Sequence, residues 1–163
     1  VLRLGDINQV IEQALSLVGH QAVLQNVKVV KDFSPSLPKV MADFDQLQQV
    51  FTNLILNAIQ AMPNGGELTL RTMVGGQPAK SEKWVRIDVQ DTGCGIPEEN
   101  MSKLFTPFFT TKEKGKGVGL GLAVVHGIIQ RHKGRIEAQS EVGKGTTFTT
   151  YLRVYHEEEG GEQ

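Results

Sequence analysis

The stretch DFDQLQQVFTNLILNAIQAMPNGGELTLRTM, residues 43–73, decides the fold. Its first twenty residues set Leu47, Phe51, Leu54, Ala58 and Met62 on one helical face, so a helix is expected from about Asp43 to Met62 with that face in the core. Pro63-Asn64-Gly65-Gly66 stops it. Leu68 and Leu70 then alternate with polar neighbours through Glu67 to Met73, which is the pattern of a half-buried strand. An amphipathic helix, a hard stop and a strand predict a helix laid on a sheet.

Downstream, Val85, Ile87 and Val89 alternate within Trp84 to Gln90, and Gly75-Gly76-Gln77-Pro78 lies between the two runs, so a long-looped hairpin is expected. Upstream, Ile7, Val10, Ile11, Ala14, Leu15 and Val18 keep helical spacing behind Asp6, which with Gln9 has the form of a capping box. Val27, Val29 and Phe33 alternate before the break at Ser34-Pro35. Past a glycine-rich segment from Gly93 to Gly121, a helix is expected from about Leu120 to His132, then strands near Arg135 to Ser140 and Thr146 to Val154. This order lacks regular βαβ alternation and predicts a two-layer α/β sandwich, a mixed sheet against about three helices.

At 163 residues the chain suits one compact domain, placed at residues 1–155, with an acidic tail at 156–163 too poor in apolar residues to pack. The 17 basic and 18 acidic residues give a net charge of -1, which excludes a global positive field for nucleic acid, so any bound anion must be held locally. Cys94 is the one cysteine and has no internal partner, and a reducing, cytosolic setting is expected. The chain opens on Val1 without the regions of a signal peptide and is expected to be a piece of something longer, whose whole can still be membrane-bound.

Three features carry candidate chemistry. On the central helix Gln46, Gln49, Asn53, Asn57 and Gln60 fall within an arc of roughly 80° that contains no charge. A solvated face normally carries Glu and Lys. Amides suit a site beside a polyanion, where an Asn oxygen can ligate Mg²⁺ and its NH₂ can donate to phosphate. Asp91-Thr92-Gly93-Cys94-Gly95-Ile96 ends the second hairpin strand in a tight turn, and a carboxylate flanked by glycines suits the exocyclic amine of adenine, because the missing side chains let a flat base approach the backbone. Finally, Gly115-Lys116-Gly117-Val118-Gly119-Leu120-Gly121-Leu122 opens a helix, an arrangement whose backbone N–H groups can meet phosphate oxygens. It matches neither the P-loop nor the dinucleotide fingerprint.

Together these motifs resemble the GHKL group of ATPases and kinases, and within it the histidine kinase catalytic domain. Asn53 to Asn57 is similar to the group's N box, Asp91 to Gly95 to its G1 box, Phe105 to Phe109 to its F box and Gly117 to Gly121 to its G2 box, while Gly143-Lys144-Gly145-Thr146 with Phe148 resembles the closing motif. The resemblance implies the Bergerat fold, ATP and Mg²⁺ as ligands, Asn57 as the metal ligand, Asp91 on the adenine amine and Thr146 near the base. It also implies a glycine-rich ATP lid from about Thr106 to Gly119. The implied ATP-binding residues are Asn53, Asn57, Asp91, Gly93, Gly95, Ile96, Thr110, Lys112, Gly117, Val118, Gly119, Leu120, Gly121 and Thr146.

Hydrolysing members keep a glutamate one turn before the metal-binding asparagine. Asn53 stands at that position here, and an amide is no general base near neutral pH, so transfer to an outside acceptor is expected over hydrolysis. Many histidine kinases carry a basic residue where this chain has Gln60, and Lys112, Lys114 and Lys116 are the substitutes the sequence offers. None of His20, His126, His132 and His156 has the surroundings of an acceptor histidine. The expected partners are a histidine-bearing dimerisation domain ahead of Val1 and a response regulator, in a homodimeric parent protein. The rival readings are an ATP-hydrolysing or ATP-switched module and a kinase of the anti-sigma-factor type.

Overall fold

The computed structural model describes residues 1–75, 83–105 and 121–155. Along them run β1 (Arg3–Gly5), α1 (Ile7–Leu24), β2 (Val27–Asp32), β3 (Val40–Ala42), α2 (Phe44–Gln60), β4 (Gly66–Val74), β5 (Trp84–Asp91), α3 (Glu98–Met101), α4 (Gly121–Arg131), β6 (Arg135–Glu141) and β7 (Gly145–Arg153). The acidic tail lies outside the described residues, as does most of the hairpin loop between β4 and β5.

Five strands form one mixed sheet in the order β2-β4-β5-β7-β6. β2 runs parallel to β4, and the remaining neighbours are antiparallel. α2 packs against both α1 and α4. One core joins Ile7 and Ile11 of α1, Phe51, Leu54 and Ala58 of α2 and Val125 and Ile129 of α4 to Leu68, Leu70, Ile87, Val89 and Phe148 of the sheet. This is the expected two-layer α/β sandwich. Three elements go beyond the sequence reading: β1 and β3 make a separate antiparallel pair with Leu4 opposite Met41, and α3 is a single turn.

The helix that carries the amides is pinned at both ends. Asp43 caps α2 by accepting the N–H groups of Asp45 and Gln46 at 3.1 and 3.2 Å. Its own N–H donates to Nε2 of His132, 3.0 Å away just past α4, and the other ring nitrogen of His132 bonds the Ile128 carbonyl at 2.8 Å. At the far end Gln25 Nε2 donates to the carbonyls of Ile59 and Met62 at 2.8 and 3.3 Å, satisfying acceptors that a helix C-terminus leaves open. Gln25→Ala is expected to cost about 0.5–1.5 kcal/mol. Urea unfolding monitored by circular dichroism checks this, and an unchanged midpoint would show that water replaces the amide at no cost. At the start of α1, Asp6 takes the N–H of Asn8 at 2.9 Å rather than that of Gln9, so the capping box is not formed as expected.

The sheet face turned away from the helices carries a paired polar cluster around Asp88. Asp88, 3% exposed, accepts from Arg86 Nε at 3.1 Å and Thr149 Oγ1 at 2.9 Å, with Arg71 Nη1 at 3.7 Å. Its oxygens are engaged by these neighbours, which gives this carboxylate a structural role.

Candidate functional site

Asp91 is the last residue of β5, opposite Leu68 on one side and Thr146 on the other. It shares parity with Val85, Ile87 and Val89, so its side chain faces the helical layer, and it is 4% exposed. Oδ1 accepts the N–H groups of Gly93 at 2.8 Å and Thr146 at 3.2 Å. Among the described residues Oδ2 has no partner. Burial raises the carboxyl above its ordinary 3.8, and the two N–H bonds offset part of that rise.

The turn after Asp91 is wedged between two parts of the fold. On one side Cys94 N–H donates to the Ala61 carbonyl at 3.2 Å, and a Cβ on Gly93 would collide with that same carbonyl. On the other side Gly143 N–H donates to the Cys94 carbonyl at 2.9 Å, and Gly95, at φ +78°, leaves no room for a Cβ against the Glu141 carbonyl. The sequence suggested that these glycines admit a flat base to the backbone. The structure corrects this, because the space they leave is filled by the protein's own backbone, and Gly95 also needs its left-handed conformation.

The contact with Ala61 sets the place of α2. Ala61 N–H bonds the Asn57 carbonyl at 3.1 Å, so Asn57 lies one turn back on the side that meets the Asp91 turn, with Asn53 a further turn along. Both are half-buried, and neither carboxamide has a hydrogen-bond partner among the described residues. Gln49 and Gln60 of the same stripe are exposed, and Gln46 at its start is half-buried. Phe105 stacks on His126 of α4 at 5.0 Å between centroids and meets Phe148 edge-on at 6.4 Å. Gly121 opens α4, and a Cβ there would meet nothing within 4 Å among the described residues. Thr110, Lys112, Lys114, Lys116, Gly117, Val118, Gly119 and Leu120, and with them the expected lid, lie outside the described residues.

The model of the histidine kinase-, DNA gyrase B- and HSP90-like ATPase family matches residues 42–156, which span α2, the Asp91 turn and the closing strands. The chain belongs to this ATPase family. Among curated relatives of this ATPase domain, the sensor histidine kinase ZraS of Escherichia coli K12 is 40% identical over 153 residues, covering 94% of this chain and 31% of that protein. The sensor kinase CckA of Brucella abortus is 46% identical over 137 residues, 78% of this chain and 14% of that one. The chain therefore spans a third or less of these relatives. Among solved structures, the catalytic domain of the histidine kinase ThkA aligns with a TM-score of 0.79 at 28% identity, covering 94% of this chain and 95% of that one. Full-length ShkA in complex with AMPPNP aligns at 0.81 with 26% identity, over 95% and 32% respectively.

Within the ATPase domain the structure brings Asp91, Gly93, Gly95, Ile96 and Thr146 to one end of the sheet, with the Asn57 side of α2 beside the Asp91 turn. Two polar residues there escaped the sequence reading. Thr92 Oγ1 accepts the Glu67 N–H at 3.0 Å, tying the turn to the start of β4. Ser140, on β6 opposite Thr146, bonds the Ile96 N–H at 2.7 Å. A lone serine in an alternating strand carries no spacing signal; only the β6–β7 register reveals its neighbours. Among the described residues no helix is long and apolar enough to cross a membrane.

Proposed function

We propose that this domain binds Mg-ATP and presents the γ-phosphate to a histidine on a separate dimerisation domain, as the catalytic half of a two-component sensor kinase. The observation that carries the reading is Asp91: a buried carboxylate with one oxygen held by two backbone amides and the other left without a protein partner among the described residues. Such an acceptor suits the exocyclic amine of adenine and disfavours the carbonyl of guanine. The names of the relatives support the kinase assignment, and ShkA, solved with AMPPNP, supports an adenine nucleotide. A cytosolic setting, a homodimeric parent and a response regulator downstream belong to the same proposal.

The donor set fits magnesium. Among the described residues no group of three or more His, Cys, Asp or Glu side chains exists to cage a metal, whereas Mg²⁺ is ordinarily held by one or two protein oxygens together with phosphates and water. Asn57 Oδ1 is the protein oxygen offered. When bound, the metal neutralises charge on the phosphates. Asn53 Nδ2, a turn away, is free to donate to a phosphate oxygen, and α2 holds both amides because Asp43 and Gln25 fix its ends.

The test is ATP affinity measured by calorimetry with Mg²⁺ and with EDTA. Asn57→Ala is expected to erase most of the metal's contribution, whereas Gln49→Ala, at an exposed position about two turns away on the same stripe, retains it. Equal metal dependence in the two variants would end the Asn57 assignment.

A further inference from the structure

Ser140 Oγ sits in three contacts. The Ile96 N–H donates to it at 2.7 Å, the Gly145 carbonyl lies at 3.0 Å, and Thr146 Oγ1 lies at 2.8 Å. A hydroxyl has one proton and two acceptor lone pairs. The Ile96 N–H can only donate and the Gly145 carbonyl can only accept. One arrangement therefore satisfies all three contacts: Ser140 gives its proton to Gly145, takes the Ile96 N–H on one lone pair, and takes the Thr146 hydroxyl proton on the other. Thr146 is then left with lone pairs alone for any further partner.

Thr146 stands opposite Asp91 in the β5–β7 register, on the same face of the sheet, and its N–H donates to Asp91 Oδ1. Ionised Asp91 also only accepts. Ser140 thus leaves Thr146 Oγ1 and ionised Asp91 as a pair of acceptors, neither of which has a proton to offer a ligand.

We propose that Ser140 is a positioning residue that orients the Thr146 hydroxyl as an acceptor and thereby sets the preference for a base bearing an amine over one bearing a carbonyl. The inference rests on the ATP-binding reading above and deepens it. An amine presents two N–H groups to two acceptors, directly or through water, whereas a carbonyl oxygen meets only repulsion there. Without Ser140 Oγ the Thr146 proton is free to turn and donate, and the barrier to a carbonyl falls. The same loss frees the Ile96 N–H, so the Asp91 turn also loses one of its ties to β6.

The experiment compares ATP with inosine triphosphate, which carries a carbonyl in place of the amine, on the whole chain. Affinities are measured for wild type, Ser140→Ala, Ser140→Thr and Thr146→Val, with thermal unfolding as the control for folding. Ser140→Ala is expected to narrow the ATP preference by about tenfold, the scale of one buried hydrogen bond. Ser140→Thr, which keeps the hydroxyl, should retain it. Thr146→Val should narrow it in the same way, and combining Thr146→Val with Ser140→Ala should add little, since the two act as one unit. A folded Ser140→Ala variant that weakens both nucleotides equally, or leaves both unchanged, overturns the proposal. Should Ser140→Ala not fold, an unaltered preference in Thr146→Val overturns it instead. Wild type that binds neither nucleotide would refute the ATP reading itself, a result distinct from either of these.

Discussion

Replacing Asp91 with asparagine is expected to weaken ATP binding by about 1.5–3 kcal/mol, or roughly 10- to 150-fold, while leaving the fold intact. The asparagine Oδ1 can still accept the Gly93 and Thr146 amides, so the turn keeps its backbone bonds. Its Nδ2 takes the place of the free carboxylate oxygen, and a donor then faces the donor of the adenine amine. Burial holds the wild-type carboxyl above 3.8, so between 3.8 and the raised value the folded chain binds more protons than the unfolded one. This group's contribution to stability accordingly grows as pH falls through that window and is lost as pH rises through it. ATP affinity follows the opposite course, because only the ionised form accepts from the amine, and it declines on acidification before an ordinary aspartate would protonate. Calorimetry on both proteins across mildly acid pH checks this. A folded Asp91→Asn variant with wild-type affinity would falsify the adenine assignment, and a wild-type affinity flat with pH would remove Asp91 from the contact.

The second large effect concerns the fate of the γ-phosphate. The isolated chain, given radiolabelled ATP, is expected neither to label itself nor to release phosphate at an appreciable rate, yet to label a separately supplied cognate histidine-bearing domain. By the resemblance to the group's N box, Asn53 stands where hydrolysing members keep a glutamate, and general-base help is worth about 10²–10⁴ in rate. The histidines that the structure describes are poor acceptors for physical reasons. His132 has both ring nitrogens engaged, by the Asp43 N–H and the Ile128 carbonyl, and His126 is stacked on Phe105. His20 is exposed on α1 but stands between Gly19 and Gln21, without an acidic neighbour in sequence. In-line transfer therefore needs a nucleophile brought from outside, where positioning supplies much of the rate. Strong label on the chain alone, or fast phosphate release, would favour the ATPase reading.

The elements with strong periodicity were legible before any coordinates. α1, α2, the β4–β5 hairpin and the closing β6–β7 pair stand within a few residues of where apolar spacing puts them. β1 and β3 were not, because three residues are too few to show alternation, and what makes them strands is each other: Leu4 pairs with Met41 far along the chain. The parallel partnership of β2 and β4 was equally hidden, since a period of two tells which side chains are buried and not which strand lies alongside. At the site, Asp91 and Thr146 were named from local motifs. The purpose of Gly93 and Gly95 was misread because close backbone approach has the same signature whether a ligand or the protein's own chain fills the space. Ser140 could be found only once the register was known.

The bond between Thr146 N–H and Asp91 Oδ1 joins residues 55 positions apart. No local segment of the chain can assemble that pair, and closing so long a loop is worthwhile only when the β5–β7 ladder forms with it. The proposed adenine contact is therefore absent from the unfolded and partly folded chain, so a nucleotide held as proposed would bind the native state alone. ATP then acts as a stabiliser by mass action, adding about 2.7 kcal/mol when its free concentration is about a hundred times the dissociation constant. On the proposed function, a cell depleted of ATP would lose not only the phosphoryl donor but part of what keeps this domain folded and out of reach of proteases.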